Sequence, residues 1–186
     1  MKYLFILAFL FTQHSAFSQK QSASSQFWDS LAKHCGKAYE GKLVSPESDP
    51  RFAGKLVMHV RSCEEGTIRV PFFVGEDRSR TWVLTKEDDL IKLKHDHRHE
   101  DGSEDEITQY GGTASNTGFP GMQIFPSDQQ TTDLIPYAAG NVWWITLDKT
   151  SFTYNLRRTG SETFFSVKFD LSAPVDIPDA PWGWND

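Results

Sequence analysis

The sequence predicts a mainly β protein: an antiparallel meander of about nine strands closed into a small barrel, with one short helix at its N-terminal end. Three observations carry that expectation. From residue 37 onward most of the chain alternates apolar and polar residues, the period of a half-buried strand. Turn signals such as Glu64-Glu65-Gly66, Gly75-Glu76-Asp77, Asp101-Gly102 and Thr159-Gly160 separate many of the alternating runs. A meander of short strands also carries exposed edges, and closing it into a barrel removes them.

The elements follow in order. Residues 1–18 read as a signal peptide: Lys2 precedes an apolar run over 3–11, followed by Ser15, Ala16 and Ser18. That run is about half of the ~20 residues that span a bilayer. Ala16-Phe17-Ser18 favours cleavage before Gln19, with a cut after Ala16 as the alternative. The expected destination is secreted or periplasmic. Residues 19–25 form a Ser/Gln-rich leader, 26–173 a single barrel domain, and 174–186 a tail rich in Pro and Trp. After signal removal no apolar run is long enough to cross a membrane.

A helix is expected over 25–36, capped by Ser24 or Ser25 and closed by Gly36, with Phe27, Leu31 and either Trp28 or Cys35 on one face. Strands are expected near 37–44, 55–62, 67–74, 80–85, 90–99, 106–111, 141–148, 151–157 and 163–171. The last are the clearest: Phe152, Tyr154 and Leu156 share one face, and Thr163, Phe165, Val167 and Phe169 another. Segment 112–140, punctuated by Gly and Pro, reads as a rim loop or lid with room for one poorly patterned strand. In the tail, Trp182 and Trp184 are expected either to clamp onto one barrel end or to anchor a protein partner.

Cys35 and Cys63 both lie beyond the signal, and in an oxidising compartment they are expected to form one disulfide. The formal charge is −6, with 25 acids against 19 bases. An acidic chain without a basic stripe argues against nucleic acid as a partner, because phosphate contacts need clustered Lys and Arg. There is no G-x-S-x-G elbow, phosphate-cradling glycine loop, HExxH or CxxC, which removes the commonest recognisable hydrolases, nucleotide enzymes and thiol oxidoreductases.

One stretch is chemically loaded: 90-LIKLKHDHRHEDGSEDE-106. Strand alternation puts Ile91, Leu93, His95, His97 and His99 on one face, continuing a row that begins in the core. A two-residue turn at Asp101-Gly102 would set His99 opposite Glu104, His97 opposite Glu106 and His95 opposite Thr108, with Arg98 meeting Asp105 outside. The expected cluster is His95, His97, His99, Glu104 and Glu106 at one rim. Alternate residues over three positions span about 13 Å, so one metal ion cannot easily hold all three imidazoles. A metal reading therefore uses two histidines and a glutamate, with His59 as a further candidate ligand and zinc or a similar divalent transition metal as the ion. Structural or pH-responsive His–Glu pairing is the alternative, and a His–Glu acid–base pair a third.

The helix with Phe27-Trp28, followed by the Gly-flanked first strand 36-GKAYEG-41, resembles the way calycin-type, lipocalin-like small barrels are plugged. Ala38-Tyr39-Glu40-Gly41 stands where true lipocalins carry G-x-W. The resemblance covers roughly residues 27–171 and implies a barrel that takes a small apolar ligand inside. The block 93-LKHDHRHEDG-102 is similar to one in uncharacterised secreted bacterial proteins and implies no activity. The combined expectation is an exported, disulfide-stabilised barrel that binds a small ligand or metal at a His/Glu-rich rim. A barrel enzyme using a His–Glu pair and a surface interaction protein are the alternatives.

Overall fold

The computed structural model describes residues 20–45 and 50–184. The expected signal peptide, 1–18, lies outside the described residues. Helix α1 (Ala23–Ala32) starts two residues earlier than the sequence pattern placed it, because Ser22 is the cap: its side chain accepts from the Ser25 amide. Phe27, Trp28 and Leu31 form its buried face, and Gly36, at φ +75°, lets the chain turn into the first strand.

Among the described residues eleven strands follow: β1 (Lys37–Leu43), β2 (Leu56–Val60), β3 (Ser62–Glu64), β4 (Thr67–Val74), β5 (Asp77–Glu87), β6 (Leu90–His97), β7 (Tyr110–Thr113), β8 (Met122–Pro126), β9 (Asn141–Leu147), β10 (Ser151–Arg158) and β11 (Phe164–Val175). Their hydrogen-bonded order is β7-β6-β5-β4-β2-β1-β11-β10-β9-β8, with the short β3 paired to β4 beside that path. Every strand pairing among the described residues is antiparallel, and β11 returns to pair with β1. The result is the expected meander, wrapped until its two end strands meet.

β7 and β8 close the circuit without a ladder between them. There a Cβ on Gly112 would sit 1.7 Å from the Pro126 carbonyl oxygen, so the two backbones touch directly. Short polar links finish the join. The Asp128 amide donates to Gly111 O at 3.0 Å, and the Thr131 hydroxyl both accepts from the Gly111 amide and donates to its carbonyl. Thr131 belongs to α2 (Gln129–Leu134), which is capped by Asp128. Segment 112–140 thus contains β8 and α2. β8 escaped the pattern because Gln123 is its buried member beside Phe125, while Ile124 is exposed.

One end of the barrel is solid. Phe27 and Leu31 of α1 are fully buried with Ile68, Leu84, Ile91, Leu93, Phe152 and Phe169 in a single apolar cluster. The Ser24 hydroxyl ties α1 to the β5–β6 turn through Asp89 O, and the Cys35–Cys63 disulfide ties the chain after α1 to β3. The cysteines lie 28 residues apart. Replacing both with serine is expected to cost about 3.5 kcal/mol through restored loop entropy in the unfolded chain, read as a lower denaturant midpoint than that of the oxidised parent.

The tail runs along the outer wall rather than over a barrel end. The Trp182 amide donates to Arg78 O, and the Trp184 ring lies 5.1 Å from the Arg69 guanidinium and 5.9 Å from that of Arg98. Both tryptophans are half-buried against the chain's own barrel.

Candidate functional site

The end opposite α1 is hollow. Antiparallel strands bring to that end the segment after β1, the start of β5, the end of β6, the start of β9 and the end of β10. Between them lies a cavity of about 720 Å³. Its floor is aromatic: Trp82 stacks on Tyr154 at 4.4 Å and 14°, and on Phe72 at 5.0 Å and 13°. Trp143, Leu156 and Phe165 form wall, while Phe52, Ile135, Tyr137 and Ala138 stand around the mouth. Three of these mouth residues come from segment 112–140, which therefore supplies part of the rim. Tyr137 is 66% exposed.

His95 sits in the wall, 3% exposed, and both its ring nitrogens are engaged. Nδ1 is 2.9 Å from Tyr110 O and Nε2 is 2.7 Å from the Tyr154 hydroxyl. A carbonyl can only accept, so Nδ1 carries the proton and Nε2 accepts from Tyr154. Protons thus point one way along Tyr154, His95 and the Tyr110 carbonyl. Burial disfavours the imidazolium and lowers the His95 pKa to about 3. The same desolvation raises the Tyr154 and Tyr110 hydroxyls well above the ordinary phenol value. This end of the site is neutral, and both His95 ring nitrogens are hydrogen-bonded.

His97 lies next along the same face. Its Nε2 is 3.0 Å from the Tyr110 hydroxyl, and its ring lines the cavity. Burial, followed by the nearby Arg80 charge, lowers its pKa to about 4, against opposing pulls from Asp105, Asp96 and Asp77. Arg80 faces His97 across the β5–β6 ladder and also lines the cavity. It is held by Asp77 at 2.5 Å and lies over the Phe52 ring at 5.7 Å. On the far wall Arg158 donates its Nε–H to Asn141 Oδ1 at 2.9 Å and lies 4.9 Å over Tyr137.

The histidine row is inward through His97, as alternation required, but the pairing beyond it is shifted. The turn has three residues, 100–102: the His99 amide donates to Ser103 O, and Arg98 bridges Glu104. Asp101 fixes this shape by accepting from the Ser103 amide and hydroxyl, and Gly102 takes φ +86° at the third position, the three-residue hairpin geometry. The extra turn residue puts Asp105 opposite His97, and three further residues inserted before β7 then put Tyr110, not Ile107, opposite His95. The Asp105 amide, not a glutamate's, bonds His97 O. Arg98 binds Glu104 and Asp96 rather than Asp105. His95 pairs with Tyr110 rather than Thr108.

His99, Glu104 and Glu106 are exposed around the hairpin tip, so the expected five-residue rim cluster does not assemble. His59 shares the face of Val57, which packs with Ala38 and Phe73 on the outer side of the sheet, away from the cavity. Among the described residues no group of three or more His, Cys, Asp or Glu is placed to hold a metal ion. His95 also fits a ligand role poorly, because its one lone pair is already taken by Tyr154.

Face counting confined to the histidines missed Arg80 and Arg158. Each continues an apolar inward row, Arg80 before Trp82 and Leu84, and Arg158 after Phe152, Tyr154 and Leu156. The same rule that found His95 and His97 applies to both. Comparisons with protein-family models, with curated proteins and with solved structures return no significant match, so the chain inherits neither family nor activity from a relative.

Proposed function

We propose that this protein is an exported binding module that takes a small, largely apolar molecule into the open end of its barrel. The observation that carries the reading is the aromatic cavity of about 720 Å³ above a solid core. That size is that of small-molecule sites, and an aromatic floor with polar groups placed around it gives a guest both contact area and orientation. The His95 chain supports a binding role because it fixes the wall and moves no proton near neutral pH. Export is supported by the signal-like residues 1–18 and by the Cys35–Cys63 bond, since disulfides persist in oxidising compartments.

The test uses N-phenyl-1-naphthylamine, an uncharged planar fluorophore that brightens when it leaves water. The mature protein is expected to bind one molecule per chain. Leu156→Trp, which adds bulk to the cavity wall, is expected to lower that affinity at least tenfold while the protein stays folded. Equal binding by the folded variant, or failure of the parent to bind either this probe or its sulfonated analogue, overturns the proposal.

A further inference from the structure

We infer that the ligand is an anion: a planar aromatic or conjugated body carrying a carboxylate-like group that docks between Arg80 and Arg158 at the mouth. This rests on the cavity being a ligand site and adds the chemical class of what enters it. The protein is acidic overall, at −6, yet among the described residues the cavity lining carries Arg80 and Arg158 on facing walls and one carboxylate, Asp105. Charge of that sign, concentrated in a concave and partly desolvated place, selects an anionic guest.

The guanidinium groups are placed as a pair of jaws. Round the circuit of the ten main strands, β5 and β10 are five steps apart in either direction, so Arg80 and Arg158 stand on opposite walls. Each is steadied by an aromatic ring of the mouth, Phe52 for Arg80 and Tyr137 for Arg158. Arg80 already holds Asp77 through one terminal nitrogen, which leaves most of its five donors for a second acceptor. For Arg158, Asn141 takes the Nε–H, and no carboxylate among the described residues pairs with it. An amide partner orients the guanidinium without neutralising it. Asn141 is itself buried, so the orientation is set before a ligand arrives, and its terminal N–H edge suits bidentate contact with a carboxylate-like group.

The rest of the lining explains the body of the ligand. Below the arginines the lining is aromatic, with Trp82, Trp143 and Phe165 and with His95 and His97 among them. An aromatic lining favours an aromatic or conjugated guest. The neutral histidines do not repel an apolar one.

The test compares two probes of nearly the same shape, 8-anilinonaphthalene-1-sulfonate and the uncharged N-phenyl-1-naphthylamine, by fluorescence titration of the mature protein. The sulfonate is expected to bind at least tenfold tighter, about 1.4 kcal/mol. Arg158→Gln is expected to remove most of that advantage, read as the ratio of the two probes' affinities within the one variant, and Arg158→Lys to keep about half of it on the logarithmic scale. In the parent protein the sulfonate should weaken as sodium chloride rises from 50 to 500 mM while the amine does not; this arm does not depend on any variant folding. Equal affinity for the two probes, or a sulfonate affinity indifferent to both salt and Arg158→Gln, overturns the anionic class while leaving the cavity reading intact. Failure of both probes to bind overturns the cavity reading and this inference with it.

Discussion

Replacing Gly112 with alanine is expected to destabilise the protein by at least about 3 kcal/mol and to lower its melting temperature by roughly 6–12 °C. The reason lies in how the barrel closes. β7 and β8 share no ladder, so their join depends on backbone approach and on the Thr131 and Asp128 links. An added methyl would lie 1.7 Å from Pro126 O, well inside contact distance, and the obstacle is backbone rather than a side chain that could swing aside. The neighbouring Gly111, at φ +154°, would place its own Cβ 1.9 Å from Leu93 O, so β7 cannot move toward β6 to relieve the clash. Opening the join also pulls Gly111 away from Thr131, leaving buried donors and acceptors unpaired. Gly66→Ala is the control. Gly66 has a positive φ of +73° but nothing near its missing Cβ, so that change carries only the backbone cost of about 1–2 kcal/mol. Urea denaturation of the two variants beside the parent separates the effects. A Gly112→Ala variant no less stable than Gly66→Ala contradicts closure by contact at this point.

The second large effect is with pH. In the unfolded chain both histidines titrate near 6.5; in the folded protein His95 is lowered to about 3 and His97 to about 4, burial being the leading cause for each. A group whose folded pKa lies below its unfolded value binds more protons when unfolded. Its stabilising contribution is therefore complete above about pH 6.5 and is lost as the pH falls toward the folded value. Each histidine contributes a slope of about 1.4 kcal/mol per pH unit inside its window. With both active between pH 6.5 and 4, stability is expected to drop by about 4 kcal/mol from pH 7.5 to pH 5, a large share of the usual 5–15 kcal/mol. Asp77 and Asp128, held below the ordinary carboxylate value in the folded protein, act in a separate window below about pH 4. His95→Gln distinguishes the sources: glutamine can accept from Tyr154 and donate to Tyr110 O, but it does not titrate. Chemical denaturation from pH 7.5 to 4.5 is expected to show about half the parental slope in this variant. An unchanged slope would sink the assignment of the effect to His95.

Much of this was legible in the sequence, and the reasons differ by element. The later strands, β9 to β11, were clear because their alternation is uninterrupted and one of their faces is aromatic. The inward direction of His95 and His97 followed from the same period-two count. The pairing opposite them did not, since Asp-Gly fits both a two-residue turn and the last two places of a three-residue one. Choosing between those depends on whether Asp101 reaches back to Ser103, a contact that alternation does not encode. β8 was hidden because a polar Gln123 occupies an inward place where its amide donates to Thr117 O and Phe119 O. The hollow was not legible either. An aromatic-rich inward face reads alike whether rings from opposite walls meet in the middle, as Trp82 and Phe152 do, or stand apart around a space, as Trp143 and Phe165 do.

The account turns on that space being a binding site. The most direct test is a crystal structure of the mature protein grown with 8-anilinonaphthalene-1-sulfonate. The expected result is one probe with its rings beside Trp82, Trp143 and Phe165 and its sulfonate between Arg80 and Arg158. A probe seated only on the outer wall, or a barrel whose open end is filled by its own side chains, would contradict the account.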